Sequence, residues 1–120
     1  MKAAVHTILV LLTLLAARSK PCTIDNEFAS AFERHLNTIK MSASSDPTPL
    51  EPLRDAYLFM NGVTGIPART SSLEIPLYKN KRQYHEDIER WQDWYYENKC
   101  WMTNERADSL VRVYSYGFNK

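Results

Sequence analysis

The side chains best placed for covalent chemistry in this sequence are its two cysteines, Cys22 and Cys100. In an oxidising compartment an even pair in a short chain reads as one disulfide. Closing so long a loop is worth ~4 kcal/mol on a chain-entropy account. The bridge would pin the start of the folded part to the far end of the longest helix. The competing reading is two free thiols.

Histidine offers less. His6 lies in an apolar N-terminal run, leaving His35 and His85 as candidates for acid–base or metal chemistry. His85-Glu86 begins like the helix of a zinc hydrolase, but the position four residues on, where the second histidine must sit, is Glu89. His35 sits beside an apolar stripe, where a packed, hydrogen-bonded ring is the ordinary outcome. The acids Glu86, Asp87, Glu89 and Asp93 read as the solvated face of a helix rather than as a glycosidase pair. Ser42, Ser44, Ser45, Ser71 and Ser72 lie in loops without a glycine elbow, and three glycines cannot build a phosphate-cradling loop. No metal or other cofactor is implied, and catalysis is the less favoured class.

Aromatic residues are the compositional excess: nine of the fourteen fall between Tyr84 and Phe118. Trp91 and Tyr95 join a buried stripe, whereas Trp94 and Tyr96 project to its two sides and Trp101 follows the helix, so these three rings are left to explain. Flat rings at a surface hold a protein, peptide or carbohydrate partner at little entropic cost. The competing reading buries all three under a second core layer. The basic cluster Lys79-Asn80-Lys81-Arg82 opposes the dipole of the helix it opens. It reads as a solvated turn or, in a eukaryotic secretory route, as a processing site. A cut after Arg82 would then leave two chains held by the cysteine bridge.

These side chains need an export route and a scaffold. Met1-Lys2, the apolar stretch from Ala3 to Ala17 and the small-x-small exit Ala17-Arg18-Ser19 are the parts of a cleavable signal peptide. The stretch falls short of the roughly 20 apolar residues of a membrane span. A lipidated cysteine would follow a small residue, and Cys22 follows Lys20-Pro21. The expected organisation is therefore a signal at residues 1–19 and a single small domain at 20–120, secreted or periplasmic. Losing the signal removes two of the 15 basic residues, Lys2 and Arg18, so the 14 acidic ones outnumber them by one. That balance favours neither nucleic acid nor an anionic membrane.

Phe28, Phe32, Leu36 and Ile39 recur at helical spacing and predict a first helix from about Asp25 to Lys40, capped by Thr23 or Asp25. Ser42–Pro52 reads as a proline-rich linker. A second helix begins near Leu50 or Leu53 with Pro52 in its first turn, carries Leu53, Tyr57, Leu58 and Met60, and ends at Asn61-Gly62. Residues 63–80 contain Gly65, Pro67 and Pro76 and read as a loop packed onto the body, with Leu73-Glu74-Ile75 alternating as a short strand would. Tyr84, Ile88, Trp91 and Tyr95 mark a third helix over Lys81–Asn98. The tail from Thr103 supports either a short helix or a strand, since Val111, Val113 and Ser115 alternate with Arg112, Tyr114 and Tyr116. A helical turn followed by an extended end is the expectation.

Tyr57-Leu58-Phe59, Thr64-Gly65-Ile66 and Trp91-x-x-Trp94-Tyr95-x-x-Asn98-Lys99, with Trp101 shortly after, form a pattern covering under half of residues 20–120. It resembles one in uncharacterised exported small helical proteins of Bacteroidetes-type bacteria. The resemblance implies a small helical domain and no activity. The combined expectation is a mainly α, three-helix small domain with proline-rich loops and a short extended C-terminal segment, acting as a non-catalytic binding or interaction protein. A two-chain signalling or effector precursor and a small secreted hydrolase are the alternatives.

Overall fold

In a computed structural model, residues 21–44 and 48–118 are described. The signal peptide expected at 1–19 lies outside them. The described chain forms four helices: α1 (Asn26–Ser42), α2 (Leu50–Thr64), α3 (Lys81–Asn98) and α4 (Asn104–Phe118). No helix among the described residues is long and apolar enough to cross a membrane.

The mainly helical expectation holds, but the count of three is corrected to four, because the tail is helical through Phe118 rather than extended. Its alternating valines mislead. With 3.6 residues per turn, Ala107, Val111 and Tyr114 share one face. Ala107 is buried and Val111 packs against the core, whereas Val113 is 74% exposed. Thr103 Oγ1 accepts the Arg106 N–H at 3.2 Å and starts the helix.

α1 begins where Asp25 Oδ1 accepts the N–H groups of Glu27 and Phe28 at 3.0 and 3.2 Å. Its predicted stripe of Phe28, Phe32, Leu36 and Ile39 is buried throughout. α2 is the central helix, packed on α1 and α4, which is why Leu53, Ala56, Tyr57, Phe59, Met60, Asn61, Val63 and Thr64 are buried around most of its circumference. Pro49 occupies its N-cap position without a side-chain cap, and Pro52 lies in its first turn, where a missing N–H breaks no helical bond.

The predicted stop at Asn61-Gly62 is overturned. α2 runs on to Thr64, and Gly65 closes it with φ +69°, the left-handed conformation that glycine takes without a Cβ penalty. Gly62 serves packing instead. A Cβ there would stand 3.1 Å from Tyr114 Cβ and 3.2 Å from Val111 Cα, so its hydrogen lets α2 and α4 approach closely.

Residues 65–80 cover one end of the bundle, held by buried polar side chains. Trp91 Nε1 donates to Ile66 O at 3.0 Å, and Asn61 Oδ1 accepts the Ala68 N–H at 2.8 Å. Asp87, with none of its surface exposed, accepts the Arg69 N–H, Arg69 Nε and the Tyr78 hydroxyl, each at 2.9 Å. Every buried polar side-chain atom among the described residues has a partner. The short strand expected at Leu73–Ile75 is not present. Thr70 and Tyr78 form an isolated antiparallel bridge, and the tip is a serine turn in which Ser71 and Ser72 hydroxyls donate to Ile75 O.

Cys22 and Cys100 form a disulfide, 78 residues apart in sequence, and no described cysteine is free. The bridge joins the segment before α1 to the corner between α3 and α4.

Candidate functional site

The three aromatic candidates separate by environment. Trp94 lies on the inner side of α3, its ring 6.1 Å from Phe32 in a stacked pair and 6.3 Å from Phe28 edge-on. It is half-buried and packs against the core. Tyr96 and Trp101 are 67% and 63% exposed. Neither ring swings freely. Lys99 Nζ sits 5.0 Å from the centre of the Tyr96 ring, a cation–π contact. Trp101 Nε1 donates to Glu97 O at 3.2 Å, and its own carbonyl accepts Arg106 Nη1 at 3.1 Å. Tyr96 also borders a groove of about 310 Å³ between α1 and α3, lined by Phe32, Leu36, Lys40 and Tyr95 among others.

The loop 65–80 thus covers Trp91 but leaves Tyr96 and Trp101 uncovered. Packing claims Trp94 alone among the three.

The basic cluster lies at the other end of α3. Asn80 caps that helix by accepting the Gln83 N–H at 2.9 Å, with Lys79 just before it and Lys81 and Arg82 in the first turn. Arg82 Nε reaches Glu86 at 3.5 Å. Lys79 and Lys81 line a second cleft of about 310 Å³, together with Ser42, Ala43, Tyr57, Pro76, Leu77, Tyr78 and Tyr84. Sequence reasoning missed this cleft. Tyr57 and Tyr84 were legible only as core stripe residues, and Tyr78 arrives from a loop whose path no local pattern dictates.

Tyr78 donates its hydroxyl to Asp87, and the buried Tyr57 ring lies 6.2 Å from that of Tyr78. Burial, reinforced for Tyr57 by neighbouring Tyr84 and for Tyr78 by Tyr57, raises both phenols well above their ordinary range and keeps them neutral.

The histidines are apart. His35 stacks on Phe59 with ring centres 4.3 Å apart, and burial, aided by the Arg34 charge, lowers its pKa to about 4. It is therefore a neutral packing ring at pH 7. His85 is exposed with its edge against Tyr84. Among the described residues no three of His, Cys, Asp or Glu gather as a metal would require.

Set against known protein families, curated proteins and solved structures, the chain matches none of them.

Proposed function

We propose that this chain is an exported, disulfide-closed binding module that works by surface contact without catalysis. Secretion or passage to a periplasm belongs to this proposal, supported by the Cys22–Cys100 bridge. Kinship with exported Bacteroidetes-type proteins belongs to it also. One observation carries the reading. Tyr96 and Trp101 present most of their rings to solvent while a lysine and a backbone carbonyl hold them in place. Preset rings bring large contact area at low entropic cost, which is how proteins, peptides and sugars are held. Trp94 supports this surface from beneath.

The test uses the rings as reporters. Trp91 is buried and Trp94 half-buried, so Trp101 is the tryptophan whose emission a partner would shift to the blue. Titration with peptide and oligosaccharide panels should give a saturable shift that Trp101→Phe abolishes and Tyr96→Ala weakens, both variants keeping the wild-type melting curve. No shift with any panel, or loss of folding in both variants, would count against the surface.

Intact mass of protein recovered outside the cytosol separates this reading from its rivals. A single chain beginning at Lys20, lighter than its reduced form by two hydrogens, fits the module. Two fragments divided after Arg82 would indicate the precursor. Hydrolysis lost on His85→Ala would indicate an enzyme.

A further inference from the structure

The cleft beneath Lys79 and Lys81 is independent of the exposed rings Tyr96 and Trp101, and its chemistry is more specific. Its floor is aromatic: Tyr57 and Tyr78 have ring centres 6.2 Å apart, and Tyr78 meets Tyr84 edge-on at 5.6 Å. Because the Tyr78 hydroxyl is spent on Asp87, that residue has mainly ring carbon left to offer a ligand. Leu77 adds an apolar lip, 62% exposed although it adjoins the buried Pro76. A neighbouring cleft of about 300 Å³ shares Ala43, Lys81 and Tyr84 and adds Lys40, Ser44 and His85.

Among the described residues the charged side chains lining the two clefts are basic, and no described carboxylate lines either one. Lys40, Lys79 and Lys81 form no ion pair among the described residues, whereas Arg69, Arg82 and Arg90 each lie within ion-pair distance of a carboxylate. Lys79 and Lys81 on this cleft, with Lys40 on its neighbour, favour an anion whose remainder is a flat hydrocarbon. The volume suits a ligand of one ring, being at the small end of ligand pockets, roughly 300–1,000 Å³.

We propose that this cleft binds a small aryl ester of an oxyanion, a phosphate or sulfate carried on a single aromatic ring. The ring packs against Tyr78 and Tyr84, which already meet edge-on, and the anion sits by Lys79 and Lys81, with Lys40 on the adjoining cleft. Lysine, an adaptable point charge, accepts either oxyanion.

The disulfide-closed protein, labelled with nitrogen-15, is titrated with phenyl phosphate, phenyl sulfate, inorganic phosphate and benzyl alcohol. Phenyl phosphate or phenyl sulfate should shift the amides of Ala43, Leu77 and Lys81 saturably, and the tighter of the two names the oxyanion. Inorganic phosphate and benzyl alcohol should each bind at least about tenfold more weakly, since each supplies half of the recognition. Lys79→Gln with Lys81→Gln should cost about tenfold in affinity. Leu77→Asp, on an exposed lip where folding is insensitive, should abolish binding and covers the case in which the double variant fails to fold. The proposal is overturned if neither aryl ester saturates, if inorganic phosphate or benzyl alcohol binds as tightly, or if a folded variant of either kind binds undiminished.

Discussion

Asp25 Oδ2 accepts the backbone N–H of Asn104 at 3.0 Å, across 79 residues of sequence, while Oδ1 of the same carboxylate caps α1. One side chain therefore serves the positive ends of α1 and α4. The Asn104 N–H, followed by those of Phe28 and Glu27, holds its carboxyl below the ordinary 3.8. A lowered folded pKa contributes stability that is complete above the unfolded value and lost as pH falls through the folded one. Asp25→Asn should lower the urea midpoint at pH 7 and flatten its decline below pH 3.8. Hydrogen exchange should quicken first in the opening turns of α1 and α4. Loss confined to α1 would mean that the reach to Asn104 contributes nothing.

Gly62→Ala tests the contact between α2 and α4. Alanine is the better helix former by about 1 kcal/mol, so an unconstrained site would gain. Here the new methyl meets Tyr114 Cβ at 3.1 Å and the Val111 backbone at 3.2 Å, and backbone yields poorly. Overpacking of this kind costs about 1–3 kcal/mol, and the net effect should be destabilising. A rise in melting temperature would show that the helices separate freely.

His35 gives the fold an acid sensitivity of its own. Its pKa falls from 6.5 unfolded to about 4 folded, first through burial. The neutral ring's contribution is complete above pH 6.5 and declines as pH drops toward 4. With solvent screening discounted, the loss across that window is on the order of 2 kcal/mol. His35→Phe keeps a ring against Phe59 and should remove this slope, as denaturant titrations at pH 7.5 and 4.5 would record. An unchanged slope would place the sensitivity elsewhere.

Asp87 and Arg69 form the clamp under residues 65–80. Asp87→Ala strips a fully buried carboxylate from three donors and should cost about 3 kcal/mol. Replacing both members, Asp87→Leu with Arg69→Met, should recover part of that loss, because the buried charge and its principal partner leave together. Protease sensitivity near Thr70–Tyr78 is a second readout and should rise most in the single variant. Equal stability of the two variants would show that the loss comes from the missing hydrogen bonds of Asp87 and not from an orphaned Arg69 charge.

The sequence was most legible where a single periodicity governed. α1 and α3 emerge within two residues of their bounds because Phe28, Phe32, Leu36 and Ile39, and then Ile88 and Trp91, mark one buried face each. α2 was harder, since its exposed charges Glu51, Arg54 and Asp55 all lie in its first half and packing on two helices leaves no polar face in the second to set its register. Its end was misplaced at Gly62 because Asn-Gly is a common stop, while the residue's real constraint is a neighbour 49 positions away in sequence, Val111. Alternating valines disguised α4 as partly extended.

The sideways angle of Tyr96 on α3 left its exposure open rather than decided, Trp101 lies past the end of that helix, and the disulfide followed from cysteine arithmetic. The tyrosine cleft did not. Its walls come from the end of α1, the middle of α2, the loop and the start of α3, and only the tertiary arrangement brings them together.

The cystine also dictates where a foreign segment would emerge. Anything fused ahead of Pro21 must leave the body beside Cys100, whose next residue is the outward-facing Trp101. A purification handle or fluorophore placed there would shadow the indole, so tethering for recognition assays belongs after Lys120, with the amino end left bare.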